Sequence, residues 1–98
     1  MFIILLRFAD KSAAPAHMGG HRAWLDDGFA DGCFVASGSL ADGSGGAVLA
    51  RGSDRAEIEA RIAMDPFVAA GVVEAEILGF DASRFAPGLD IIEADAAR

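Results

Sequence analysis

Two side chains in this sequence have the right types for proton transfer at neutral pH. His21 opens the run His21-Arg22-Ala23-Trp24-Leu25, and Asp65 stands before Pro66-Phe67 at the end of an apolar helical pattern. Imidazole is the one side chain whose ordinary titration range spans neutral pH. A carboxylate bound to one ring nitrogen fixes the tautomer and stabilises the imidazolium that forms when the other nitrogen takes up a proton. If the fold brings His21 and Asp65 together, they form a general acid–base pair. Each residue also has a plainer role. A histidine on a helix flank is more often an inert hydrogen-bonded group. A carboxylate at a helix C-terminus faces the negative end of the helix dipole and needs compensation. Asp65 finds it locally by capping a short turn that starts with Pro66. The two roles are compatible, since one oxygen can cap while the other faces the histidine.

The remaining candidates are weaker. His17 lies four residues before His21, a spacing at which two histidines can share a metal, but a third ligand is needed and none follows in a recognised pattern. No metal and no cofactor are expected. Arg7 is the one charge inside the first apolar strand. It either snorkels to the sheet edge or holds an anionic substrate there. Ser37 interrupts the second strand; an outward-facing polar residue is favoured over a hydroxyl offered to a ligand. Trp24 is expected in the core, with a pocket wall as the alternative. Cys33 reads as a small buried hydrophobe, because nothing nearby in sequence lowers its pKa.

The elements that must position these groups are legible from hydrophobic patterning. Phe2 to Phe8 is a short apolar run typical of a buried central strand. A helix is expected from about Ala16 to Asp31, with His21, Trp24, Leu25 and Gly28 at i, i+3, i+4 and i+7 on one face. Gly19 and Gly20 weaken its first turns by about 1 kcal/mol each relative to alanine, unless close backbone approach requires them. Cys33 to Leu40 and Ala47 to Arg51 read as strands around the turn Asp42-Gly43-Ser44-Gly45-Gly46. Ser53 is the expected N-cap of a second helix buried through Ile58 and Ile62. Val72 to Phe80 is the last strand, with Glu74 and Glu76 alternating against Val73, Ala75 and Ile77. The order strand, helix, strand, strand, helix, strand is the ferredoxin-like βαββαβ arrangement, an α+β fold. It places two helices on one face of a four-stranded antiparallel sheet and leaves the other face open.

Composition sets the boundaries. The chain has 98 residues, 53% of them hydrophobic and 23% charged, with a net charge of −7. That length suits one domain near the small end of the range, where a second subunit often adds buried surface. A homodimer, sheet packed on sheet, is therefore expected. The acidic balance disfavours nucleic acid and anionic membranes. Apolar runs are too short to span a bilayer and do not resemble a signal peptide. The single cysteine excludes an internal disulfide, and a reducing cytoplasm is the simplest setting. Residues 1–81 are expected to form the domain. Residues 82–98 are expected as a tail, mobile or docked on a partner subunit through Leu89, Ile91 and Ile92.

The sequence resembles the YCII-related proteins, small domains of the dimeric α+β barrel class. The resemblance rests on His21-x-x-Trp24-Leu25, Gly32-Cys33-Phe34, Ser37-Gly38-Ser39-Leu40 and, most specifically, Asp65-Pro66-Phe67-Val68-Ala69-Ala70-Gly71-Val72. It implies a paired active site at His21 and Asp65. The spacing of eleven residues from His21 to Gly32 selects His21 over His17. One departure is Gly38-Ser39, where the family often has Gly-Pro; without the proline the turn is less stiff. Similar domains in pathways that degrade aromatic compounds carry lyase- or dehalogenase-like activity. The resemblance thus implies a homodimeric enzyme on a small organic substrate, by elimination, isomerisation or dechlorination. The alternative is a binding or dimerisation module in which His21 and Asp65 are a structural pair.

Overall fold

The apolar run after Met1 becomes a central strand because alternate side chains, Phe2, Ile4 and Leu6, are buried beneath the helices. In the computed structural model, which describes residues 1–89, the elements are β1 (Phe2–Phe8), a 3-10 turn (Lys11–Ala13), α1 (Ala14–Ala30), β2 (Phe34–Ser39), β3 (Gly45–Ala50), α2 (Arg55–Ala63), the single turn α3 (Pro66–Ala69) and β4 (Val73–Gly79). The strands form one antiparallel sheet in the order β2-β3-β1-β4. This is the ferredoxin-like α+β fold, with α3 inserted between the second helix and the last strand.

Phe2, Ile4 and Leu6 of β1 are buried on the helix side of the sheet. Trp24 of α1, Ile58 and Ile62 of α2, and Phe67 of α3 complete the same core. Each of these large side chains, fully buried, stabilises the fold by about 1.5–3 kcal/mol before entropy is counted. The alternate residues Ile3 and Leu5 lie on the opposite face, paired with Leu49 and Ala47 of β3 and with Leu78 and Glu76 of β4. They remain partly exposed.

Local chemistry accounts for where the elements begin. α1 starts two residues before Ala16, because Pro15 fits the first helical turn, where its missing N–H costs nothing. α2 is capped by Asp54 rather than Ser53: the Asp54 carboxylate accepts from the Ala56 N–H at 2.9 Å. Glycines fix two close approaches of α1. A Cβ on Gly28 would overlap the Phe34 ring of β2, and one on Gly20 would lie 2.8 Å from Pro66 Cγ. Gly20 is thus needed for contact with α3, while Gly19 faces open space. No helix among the described residues is long and apolar enough to cross a membrane. The tail is described as far as Leu89, with no strand among those described residues; Ile91 and Ile92 lie outside them.

Candidate active site

The site is built from a helix cap and a helix face. α2 ends at Ala63, and Asp65 takes an extended backbone conformation that starts α3. Its Oδ1 accepts the Phe67 N–H at 3.0 Å, satisfying one of the free donors of the new turn. Pro66 follows in the first turn of α3, where its fixed φ suits the geometry. Packing of Pro66 against Gly20 brings the next residue of α1, His21, over the same carboxylate. His21 Nδ1 lies 2.9 Å from Asp65 Oδ1 and 3.1 Å from Oδ2. Asp65 is completely buried, whereas the His21 side chain keeps 14% of its surface exposed.

A carboxylate only accepts hydrogen bonds, so Nδ1–H donates to Asp65 and Nε2 is the ring nitrogen turned to other partners. Nε2 has no protein partner among the described residues, and no partnerless buried side-chain nitrogen occurs among them, so this atom is open to its surroundings. The ring itself is clamped. It stacks on Phe67 with centroids 4.1 Å apart and planes within 5°, and the Trp24 ring lies 5.8 Å away. Trp24 is fixed in turn by its indole N–H, which donates to the Arg61 carbonyl of α2 at 2.9 Å.

A cavity of about 350 Å³ opens beside His21. Its roof is the α1 stripe Met18, His21, Arg22 and Leu25, at i, i+3, i+4 and i+7. Its floor is the helix side of the sheet where Gly46 stands between Leu6 of β1 and Ser39 of β2. A Cβ at Gly46 would lie 3.2 Å from the Gly38 carbonyl oxygen, so glycine suits this close strand contact. Asp65 does not line the cavity, so the His21 edge turned away from the carboxylate is the one that meets it.

Of the residues singled out in the sequence, the fold joins three. His21 and Asp65 meet, and Ser37 lines the same cavity. Ser37 stays exposed, and a register shift between Phe34 and Ala36 sets the side of the sheet on which it falls. The irregularity at Val35 puts Ala36 opposite Leu49 on the open face and Ser37 opposite Val48 on the helix side. Trp24 takes its core role, 7% exposed and not part of the cavity lining. Arg7 does not line the cavity; it lies on the open face and donates to Glu76 at 2.6 Å. His17 does not line the cavity, and no three His, Cys, Asp or Glu side chains converge as metal ligands among the described residues. The sequence reading missed Arg22 and the ring platform of Phe67. Arg22 follows His21 on the same helical stripe as Met18 and Leu25, a signal that was available in the helical period. The stacking of Phe67 was not, because it depends on how α3 turns back.

The profile of the YCII-related domain matches residues 1–81. The chain belongs to the YCII-related domain family. Among curated proteins, none matches its sequence. Among solved structures, this YCII-related chain is similar to the 5-chloro-2-hydroxyhydroquinone dehydrochlorinase of Burkholderia phenoliruptrix, solved in complex with 2,5-dihydroxybenzoquinone. The two share 16% sequence identity with a TM-score of 0.67, over 85% of this chain and 96% of the dehydrochlorinase. At that identity the likeness is one of fold.

Proposed function

We propose that this YCII-related protein is a small-molecule enzyme in which His21 is the general base and acid and Asp65 orients it. One observation carries this reading: the imidazole is held through Nδ1 by a fully buried carboxylate while Nε2 is unpartnered beside a cavity. In an elimination, Nε2 takes a proton from the substrate as the bond to the leaving group breaks, and the imidazolium, stabilised by Asp65, later releases that proton to water. Elimination of hydrogen chloride in this way needs no redox partner. The structural likeness to a dehydrochlorinase supports reactions of the lyase, isomerase or dehalogenase type. A cavity of this size suits a single-ring compound, since ligand pockets start at roughly 300 Å³. Chloride release from 5-chloro-2-hydroxyhydroquinone is the first assay to run. The His21→Ala variant is expected to lose about 10²–10⁴-fold in rate, the usual contribution of positioned proton transfer, with its circular dichroism unchanged. Undiminished turnover in that variant refutes the mechanism.

A second reading is favoured by the double use of Asp65, which caps α3 with the same oxygen that faces His21. In that reading the pair is structural and the cavity is a binding site only. His21→Ala then costs roughly 1–3 kcal/mol in stability, the cost of stranding a buried polar group. The same stability cost applies in an active site, because Asp65 is buried in both readings; loss of turnover is what separates them.

The same proposal includes a homodimer formed through the open sheet face, as in a dimeric α+β barrel, and a cytoplasmic setting. Support comes from the partly exposed Ile3, Leu5 and Leu49 and the 45% exposed Leu78, too apolar a surface to leave in water. Leu5→Glu is expected to give a monomer by sedimentation analysis, and a monomeric wild-type protein overturns the assignment.

A further inference from the structure

The charge inside the cavity runs against the charge of the protein. The chain carries a net charge of −7, yet the cavity lining holds no carboxylate, and Arg22 is the permanently charged side chain on it. Arg22 also forgoes an available partner. Asp26 stands four residues on, at a spacing where opposite charges pair on a helix. Arg7, Arg55 and Arg61 each hold a carboxylate, but Arg22 joins none among the described residues. Arg22 is an exposed residue that contributes to the cavity lining. The rest of the lining offers hydroxyls from Ser37 and Ser39, and apolar walls from Leu6, Phe8 and Leu25.

We propose that Arg22 makes this cavity a site for a small organic anion of single-ring size, binding its negative oxygen while the ring lies against the apolar walls beside His21. This rests on the cavity being the substrate site. A guanidinium presents its donors in a planar fork that matches an oxyanion, and it offsets the repulsion that Asp65 exerts on an incoming anion. The same cation stabilises the negative charge that builds on the substrate when His21 Nε2 removes a proton. Arg22 therefore selects both the charge of the ligand and its orientation toward His21.

The test compares benzoate with benzamide, which share size and planarity and differ in charge, by following backbone amide NMR shifts of Ser39 and Gly46 in the full chain. Benzoate is expected to bind about tenfold more tightly at low salt, the effect of one charge-assisted hydrogen bond. Arg22→Gln should bring the ratio to about one by weakening benzoate more than benzamide, and Arg22→Lys should keep part of the preference. Equal affinities in the wild type, a preference that survives Arg22→Gln, or binding of neither probe each overturns the proposal. His21→Gln separates it from the acid–base reading. A preference retained there without chloride release supports the role of Arg22 and leaves His21 as the proton carrier. Retained preference with undiminished release removes the acid–base reading alone. Loss of preference in His21→Gln moves the anion contact to His21 and overturns the role of Arg22.

Discussion

Asp65 and Asp31 are built on the same local plan and end up in opposite circumstances. Each accepts the N–H two residues on, Phe67 for Asp65 and Cys33 for Asp31, both at 3.0 Å. Each also holds a nitrogen from a different helix: His21 of α1 comes to Asp65, and Arg61 of α2 comes to Asp31. The Asp65 side chain is fully buried, while that of Asp31 is about half exposed. Burial changes what the motif does. Around Asp31, water competes for both partners, and the pair is a surface clasp between the end of α1 and α2. Around Asp65, water is excluded, so the imidazole is fixed in one orientation and one tautomer, which proton transfer requires.

Substitutions at the two aspartates should separate these circumstances. Asp65→Ala removes a cap and a buried carboxylate bond together, and about 2–4 kcal/mol of stability is expected to go with them in urea unfolding. A loss below about 1 kcal/mol would show that Asp65 is not the organising group. Asp65→Asn preserves the shape and the cap acceptor. Nitrogen-15 NMR of the imidazole should then show the Nδ1–H tautomer of the wild type giving way to a mixture, because an amide serves as donor or acceptor.

The approach that creates the buried pair is tested by two neighbouring glycines, for which opposite signs are expected. Gly20→Ala places a methyl 2.8 Å from the Pro66 ring and should destabilise by about 1–3 kcal/mol, shifting the His21 resonances. Gly19→Ala meets nothing within 4 Å and should stabilise by about 0.5–1 kcal/mol through helix propensity. Equal effects at the two positions would mean that contact with α3 does not set the site.

The smallest effect is expected at the exposed clasp. Asp31→Asn should cost less than about 1 kcal/mol and less still at high salt. The hydrogen bond from Arg61, and then that from the Cys33 N–H, hold the Asp31 carboxyl below its ordinary value of 3.8. A carboxylate held low in the folded state contributes fully above its unfolded value and loses that contribution as pH falls through the folded one. The wild-type advantage over Asp31→Asn is therefore expected to be constant above about pH 5 and to shrink under more acidic conditions.

Much of this protein was legible in its sequence because short-range physics wrote it there. The continuous apolar run from Phe2 to Phe8 marked the central strand, and the helical spacing of His21, Trp24 and Leu25 marked the face of α1. The Asp65-Pro66 pair signalled both a cap and a candidate carboxylate. The side of the sheet on which Ser37 falls was not legible, because one irregular residue in β2 reverses the alternation that a sequence pattern assumes. Arg7 was open to two readings, a sheet-edge residue or an anion holder, and strand register decided it, placing it on the far face in a bond with Glu76.

The sequence by itself determined the residue types available for chemistry and the elements that carry them. Only the tertiary structure decided that His21 and Asp65, 44 residues apart, meet at hydrogen-bond distance. That meeting depends on Gly20 admitting Pro66. Such contacts between distant segments are set by packing rather than by local propensity, and no local pattern encodes them.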